Sequence, residues 1–385
     1  MNLSDLARNS YIPQSSSTKK GYTRWWHSFS GVNAQTGNVR TFFVEFFLIN
    51  PGLGSEHPIL GQLPYHKKHG IKPSYLLVKA GVFPDPKGEG GKQLHAFYPI
   101  SSLQITNSPL VIQTAASGWE SDQDTRTHTC FYSEDRITGF INITSREARH
   151  RSLMSDSGYM EWDLEIGKTV SCHTGIWGGP LFQALRLLDS YWHGEGIRSF
   201  FRGNVVLDGE SYEVSPDLNY GYADKHWGRA FQNPWFQFAC GKLTSQMTQK
   251  ELRHSVLAVN EFRPRLFCIP LRPRFMIQLT YMGEDFEFTR CKWSVKETGT
   301  RFVWHISARN KNASLRLSGS CKKRDMLHLR YETPDGRLPR LPLWAGAAGI
   351  GTVRLYRHTQ SGRELLDTLY MENALCIYQN ESPKK

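Results

Sequence analysis

Three features that mark exported, membrane-spanning or nucleotide-binding proteins are missing from this sequence. The seven cysteines are scattered without a CxxC pair, as is typical of reduced thiols in a cytoplasm. No apolar run is long enough to cross a bilayer, and no apolar block of the signal-peptide kind stands near the start. No glycine-rich loop follows a strand pattern, which argues against a nucleotide phosphate site. We therefore expect a cytoplasmic protein.

Aromatic residues, in contrast, are abundant. The chain of 385 residues has 11 Trp, 16 Tyr and 21 Phe, more than packing alone demands. Aromatic side chains favour half-buried sheet surfaces, and a surplus of them suits a large apolar cavity. The length suits two barrel-sized units. Residues 1–20 end in a polar tract, and we expect them to form a flexible N-terminal segment.

The net charge is +12, and the lysines and arginines are spread along the chain. Such a spread favours a solvated basic surface. Peripheral contact with the inner face of a membrane, from which a lipid is collected, is the second interpretation. Nucleic-acid binding is not predicted, because the cations do not form one stripe.

Strand patterns dominate the sequence. Residues 159–166 alternate between apolar and polar side chains, which predicts a strand with one wet face. Asn38 to Ile49 is apolar on both faces except at Glu45, which is either a buried acid or part of an edge strand in water. Asp208-Gly209 lies between two apolar runs and predicts a tight hairpin.

One helix is predicted, beginning at Pro180 and stopped by Gly194. An apolar stripe at i, i+4, i+7 and i+11 supports it and consists of Leu181, Leu185, Leu188 and Trp192. Many short strands at hairpin spacing and few helices indicate a mostly-β protein made of antiparallel barrels or sandwiches.

The chemically most versatile side chains are concentrated in YGYADKHWG at residues 220–228 and NPWFQFAC at residues 233–240. An extended chain would sort the first group into two faces. One face would carry Tyr222, Asp224 and His226, and the other would carry Lys225 and Trp227. The second stretch would place Trp235 and Gln237 together on one face of a following strand.

The segment 222–228 resembles the most distinctive motif of the tocopherol cyclase family, a Tyr-x-acid-Lys-x-Trp-Gly stretch that leads into a Pro-Trp strand. The stretch RWWHS at residues 24–28, residues 41–54 and the tail at 346–378 are also similar to that family. The sequence departs from the family pattern in four residues. His226 stands where Asn is usual, Asp224 replaces Glu, and Trp26-His27 stands where Tyr-Phe is usual.

The resemblance implies two lipocalin-like antiparallel β-barrels side by side, which we place at residues 21–208 and 209–380. It also implies an activity, closure of a chroman ring in a prenylated hydroquinone. A proton added to a trisubstituted alkene creates a tertiary cation, which the phenol oxygen captures. Neither a metal nor an organic cofactor is needed. The expected partner is a hydrophobic small molecule, a prenylated aromatic or related isoprenoid.

The reaction implied by the resemblance needs a carboxylic acid that stays protonated at neutral pH, which burial among apolar groups achieves by raising its pKa. Asp224 is the first candidate, and Lys225 and His226 complete the predicted catalytic set. Aromatic faces would stabilise the cation. The predicted substrate-binding residues are Trp25, Trp26, His27, Tyr222, Trp227, Trp235 and Gln237. In the competing interpretation, Asp224 and Lys225 form a structural ion pair, which would leave no acid.

No metal site is predicted, because His66-x-x-His69 has no third ligand nearby. The leading hypothesis is a tocopherol cyclase-like enzyme that cyclises its substrate without a cofactor. The alternative is a non-catalytic carrier of a hydrophobic isoprenoid or lipid, because lipocalin-type barrels often only bind.

Overall fold

The computed structural model describes residues 20–54, 56–107, 109–114, 129–173, 188, 190–217, 220–229, 231, 235–262, 265–266, 269–272, 274–339 and 341–379. Within these residues the only α-helices are Pro64–His69 (α1) and Ser145–Ala148 (α2). The predicted mostly-β class with few helices is therefore confirmed. Neither helix is long and apolar enough to cross a membrane. Apart from Lys20, the predicted N-terminal segment lies outside the described residues.

The first sheet contains twelve antiparallel strands in the order β4-β3-β2-β1-β11-β10-β9-β8-β7-β6-β5, with β12 pairing with both β1 and β10. The strands are β1 (Tyr22–Asn33), β2 (Val39–Ile49), β3 (Tyr75–Val82), β4 (Lys92–Tyr98), β5 (Leu103–Asn107), β6 (Leu110–Thr114), β7 (Phe131–Ser133), β8 (Arg136–Ile143), β9 (Gly158–His173), β10 (Ser190–Leu207), β11 (Glu210–Val214) and β12 (Gly221–Gly228).

The second sheet contains eleven antiparallel strands, and its main path is β19-β18-β15-β13-β25-β24-β22-β21-β20. The strands are β13 (Phe236–Cys240), β14 (Leu243–Ser245), β15 (Val256–Phe262), β18 (Arg274–Tyr281), β19 (Glu284–Phe288), β20 (Arg290–Glu297), β21 (Arg301–Arg309), β22 (Ala313–Lys322), β23 (Leu327–Leu329), β24 (Leu343–Thr359) and β25 (Gly362–Tyr378). A separate ribbon pairs β16 (Arg265–Leu266) with β17 (Ile269–Pro270).

Among the described residues, three large apolar cores follow from the alternation of side chains along these strands. In β1, Trp25 and Phe29 point into the core enclosed by the first sheet. Phe238 and Trp304 belong to the corresponding core of the second sheet. Tyr22 and Trp26, on the opposite face of β1, belong to a third core that residues of both sheets build. The two barrel-like sheets therefore pack side by side, and their contact is itself a hydrophobic core.

The predicted helix is wrong in its second half. Its first half, residues 180–187, lies outside the described residues, but Trp192 and Gly194 belong to β10. Leu188 and Trp192 are four residues apart, a spacing that puts two side chains on one face of a strand as well as of a helix. The apolar stripe alone therefore did not distinguish the two structures.

The hairpin at Asp208-Gly209 is confirmed, because Leu207 pairs with Glu210 across it and Asp208 has a positive φ of 49°. Both of its strands belong to the first sheet. Sheet membership changes later, between Gly228 and Phe236. A domain division at 208/209 stays a prediction, but the first sheet extends beyond it.

Candidate functional site

Strand β12 lies between β1 and β10, so the side chains of the 222–228 motif are surrounded on both sides. All eight of its residues are buried. In the ladder with β1, Asp224 is the partner of Trp26 and His226 is the partner of Arg24. The alternation predicted for this strand is confirmed, because Tyr222 belongs to the core between the sheets whereas Trp227 does not. The motif thus presents Tyr222, Asp224 and His226 to the second sheet.

The carboxyl group of Asp224 is fully buried and receives hydrogen bonds from three different side chains on one oxygen. Its Oδ2 atom accepts from the indole nitrogen of Trp192 at 3.0 Å, from the hydroxyl of Tyr222 at 2.7 Å and from the amide nitrogen of Gln237 at 2.7 Å. Its Oδ1 atom has no hydrogen-bond partner among the described residues. The Nη1 atom of Arg24 lies 3.7 Å from Oδ1. One oxygen therefore receives three hydrogen bonds, whereas the other faces the Arg24 guanidinium.

Behind Asp224 runs a chain of buried charges that crosses three neighbouring strands. Arg24 on β1 forms an ion pair with Glu45 on β2, and Lys79 on β3 binds the other oxygen of Glu45 at 2.9 Å. Burial alone would raise the pKa of the Glu45 carboxyl, but Lys79 and Arg24 outweigh it and lower that pKa. Together with Asp224, the row alternates acid, base, acid and base. Glu45 is therefore a buried acid in an inner strand, and the interpretation as an edge residue in water is wrong.

A cavity of about 270 Å³ lies between the two sheets, and Tyr222 is part of its wall. Its other lining residues include Ser28, Ser30, Ile197, Tyr220, Ala239, Lys242, Glu251, Ala347, Asn373 and Leu375. Polar and charged side chains mix with small apolar ones along this wall. Asp224 does not line the cavity, but the Tyr222 hydroxyl joins Asp224 to a residue that does. The Tyr222 side chain therefore links the cavity wall to Asp224 through one hydrogen bond.

Tyr222 is suited to stay a neutral phenol. Its pKa is raised well above the usual value by burial and by the adjacent Asp224 carboxyl. The amide nitrogen of Gln237 also hydrogen-bonds the Tyr222 hydroxyl, so Gln237 contacts both members of the pair. Gln237 is carried by β13 of the second sheet, which makes the site a joint product of both sheets.

Four of the other predicted site residues on β12 and β1 lie on the opposite face, namely Lys225, Trp227, Trp25 and His27. The ammonium group of Lys225 lies 4.6 Å from the ring centroid of Trp227 and 5.8 Å from that of Trp25. The His27 ring lies 5.1 Å from that of Tyr132. The structure thus separates Lys225, Trp25, His27 and Trp227 from the cavity that Tyr222 lines. Asp224 and Lys225 do not form the ion pair considered from the sequence, because adjacent residues of a strand point in opposite directions.

Lys225 shares the inside of the first sheet with a buried ion pair. Lys168 binds Glu195 at 2.5 Å and Glu134 at 3.1 Å. Burial lowers the pKa of Lys225 to about 7, although Glu195 and Glu134 oppose the shift. Burial also lowers the pKa of His27 well below its usual value, and Lys168 adds to that effect.

The indoles of Trp26 and Trp235 meet a cation that belongs to the protein. The Arg24 guanidinium lies 4.6 Å from the Trp26 ring centroid and 5.0 Å from that of Trp235. His226 stacks on Trp235 at 4.7 Å, and its Nδ1 atom lies 2.6 Å from the Tyr22 hydroxyl. These contacts fix the position of Arg24 beside Asp224.

The described residues contain no cluster of three or more metal-ligating side chains. His66 and His69 instead contact backbone carbonyls through Nδ1, at 2.7 Å and 2.8 Å. A second hollow, lined by Arg24, Glu45 and Lys79 among others, has a volume of only about 10 Å³. That volume suits about one water molecule.

Comparison with known families identifies the segment that contains this site. Residues 183–370 match the family described as tocopherol cyclase-like. No curated protein matches the sequence. The solved structure of kievitone hydratase from Nectria haematococca is similar with a TM-score of 0.41 and 10% identity, over 97% of this chain and 94% of that chain.

The matched segment covers β10, β12 and β13, so Trp192, Tyr222, Asp224 and Gln237 all lie in it. Arg24 and Glu45 precede it, and the resemblance noted around residues 24–54 stays a prediction. Sequence reasoning missed Trp192, Arg24 and Lys79 as parts of the site. The one available signal was a charged residue, Arg24 or Lys79, within an otherwise apolar strand pattern.

Proposed function

We propose that this protein is a cofactor-free enzyme of the tocopherol cyclase type that uses Asp224 and Tyr222 to transfer protons to and from a hydrophobic substrate between the two sheets. The substrate is a prenylated hydroquinone or a related isoprenoid. The observation that carries the proposal is the fully buried Asp224 carboxyl, which hydrogen-bonds the Tyr222 hydroxyl in the wall of a cavity of about 270 Å³.

The proposed reaction is an isomerisation, so the substrate neither gains nor loses atoms. Protonated Asp224 gives its proton through the Tyr222 hydroxyl to the substrate alkene, and a tertiary cation forms. The phenol oxygen of the substrate then attacks the cation, a C–O bond closes the ring, and the phenolic proton returns by the same route to Asp224. Substrate and product have equal mass, and the enzyme ends in its starting state.

The surroundings of Asp224 differ from the apolar pocket expected from the sequence. Hydrogen bonds from Trp192, Tyr222 and Gln237 stabilise the carboxylate that remains once the proton has left. In this relay the proton is held on Oδ2, which contacts the Tyr222 hydroxyl, and it passes to the Tyr222 oxygen as the Tyr222 proton passes to the alkene.

Asp224→Asn tests the proposal, because the amide keeps the shape of the side chain but cannot supply the proton. Incubation with a prenylated hydroquinone, followed by chromatography and mass spectrometry, should show a product of equal mass for the unmodified protein. We expect the variant to lose roughly 100-fold to 10,000-fold in turnover, the usual contribution of a positioned acid. Asp163→Asn, which changes an exposed carboxyl in the same sheet, is the matched control. Unimpaired turnover by Asp224→Asn would remove Asp224 from the mechanism.

A carrier function is the second candidate, and one observation favours it. Tyr222, and not Asp224, lines the cavity, so its hydroxyl would suffice to hydrogen-bond a ligand that undergoes no reaction. The same incubation separates the two functions. A carrier returns its ligand chemically unchanged. In that case neither the unmodified protein nor Tyr222→Phe forms a product, and Tyr222→Phe only binds the ligand more weakly.

A further inference from the structure

The outer face of the second sheet carries a group of cations on neighbouring strands. Exposed basic side chains alternate with inward-pointing apolar ones along four neighbouring strands. We call these residues the basic face, and they are Arg290 and Lys292 on β20, Arg309 on β21, Arg316 on β22 and Arg354 on β24.

The basic face places like charges directly opposite each other. Arg290 is the cross-strand partner of Arg309, and Arg316 is the partner of Arg354. Like charges in such positions repel and destabilise a sheet. None of the five cations forms an ion pair among the described residues. An external anion bound across each pair would relieve the repulsion.

Apolar side chains stand among these cations. Ile350 is 55% exposed and Tyr370 is 40% exposed. Ile350 pairs with Ser320 and Tyr370 with Thr352, so both lie on the same outer face as Arg316 and Arg354. Exposed apolar residues close to cations are typical of surfaces that meet the headgroup region of a membrane, where aromatic rings and arginines both find partners.

We propose that the basic face docks the protein on a membrane surface rich in anionic lipid headgroups. The paired arginines would bind phosphate or carboxylate groups, and Ile350 and Tyr370 would enter the interface between headgroups and acyl chains. The combination favours a membrane over a nucleic acid, because a polynucleotide backbone offers no apolar layer for Ile350. The inference does not depend on the reaction proposed above.

Sedimentation with lipid vesicles tests this inference on the full-length protein. Vesicles of phosphatidylcholine alone are compared with vesicles that also contain phosphatidylserine, at low salt and in about 0.5 M NaCl. The test variant is Arg316→Gln/Arg354→Gln, which also removes a repulsive pair and should therefore fold well. The matched control is Lys67→Gln/Lys68→Gln, which removes two exposed cations from α1 in the first half of the chain.

We expect binding to the phosphatidylserine vesicles that salt weakens. Loss of two cations should weaken it roughly 25-fold in the test variant, at about 5-fold for each charge near the surface. The control should bind like the unmodified protein. Equal binding by the test variant, or no preference for phosphatidylserine, would overturn the inference. Binding to a duplex DNA or single-stranded RNA probe with none to vesicles would replace the membrane with a nucleic acid.

Discussion

Lys225 was predicted to be catalytic, but the structure places it away from Asp224, and this placement can be tested. Its ammonium group lies inside the first sheet against Trp25 and Trp227, on the face of β12 opposite Asp224. We consider the change Lys225→Met, which keeps most of the side-chain volume and removes the titratable group. Because the cavity is on the other face, we expect this variant to keep the turnover of the unmodified protein.

The magnitude follows from the pKa of Lys225, which burial lowers from 10.5 in the unfolded chain to about 7. Below pH 7 the lysine is protonated in both states, and the full penalty for a buried charge applies. Between pH 7 and pH 9 the unfolded chain holds the proton while the folded protein releases it. The free energy of unfolding therefore rises with pH, by about 2 kcal/mol over this interval relative to a variant without the lysine.

Urea denaturation of both proteins at pH 7, 8 and 9 measures this difference. The free energy of unfolding of the unmodified protein should approach that of Lys225→Met from below as the pH rises. Lys67→Met, a change at an exposed position of α1, should show no such trend. Parallel pH curves for the unmodified protein and Lys225→Met, or a loss of turnover in that variant, would refute the placement of Lys225.

Two further predictions concern the charged row and the cavity. Glu45→Gln should lower the free energy of unfolding at pH 7 by about 3–5 kcal/mol in urea denaturation, because Arg24 and Lys79 lose their shared carboxylate. Since the pKa of Glu45 is lowered in the fold, its stabilisation is present above the usual range of a Glu and is lost as the pH falls through its folded pKa. The deficit of Glu45→Gln should therefore shrink towards acid, and a deficit independent of pH would contradict this account. Ala347→Leu fills part of the cavity and should raise KM or weaken ligand binding with little effect on the urea midpoint, whereas unchanged KM would place the substrate elsewhere.

Local sequence patterns predict which side chains share a face of a strand and where a hairpin turns. The alternation of residues 222–227 and the hairpin at Asp208-Gly209 were read correctly, because both follow from backbone geometry within a few residues. The stripe that ends at Trp192 predicts a helix wrongly, since the spacing of its last two residues, Leu188 and Trp192, fits a strand as well.

Contacts between distant segments could not be predicted in the same way. Arg24 reaches Asp224 only because β1 pairs with β12, two hundred residues further along the chain, and no local signal gives that pairing. Gln237 reaches Asp224 only because two sheets pack against each other. The sequence therefore indicated the acid but not the groups that surround it.

The location of Gln237 has a consequence for how distant changes influence the chemistry. The Gln237 amide belongs to the second sheet, and the Tyr222 and Asp224 oxygens that accept its hydrogen bonds belong to the first. The lengths of these hydrogen bonds therefore depend on how the two sheets pack against each other. A displacement of about 1 Å at a reacting group is enough to slow catalysis strongly. Leu343 and Ile377 form no described hydrogen bond with Asp224 or Tyr222. They still influence the packing of the two sheets, because they belong to the core between them. Substitutions in the core between the two sheets would therefore change the reaction rate without altering any side chain that takes part in the reaction.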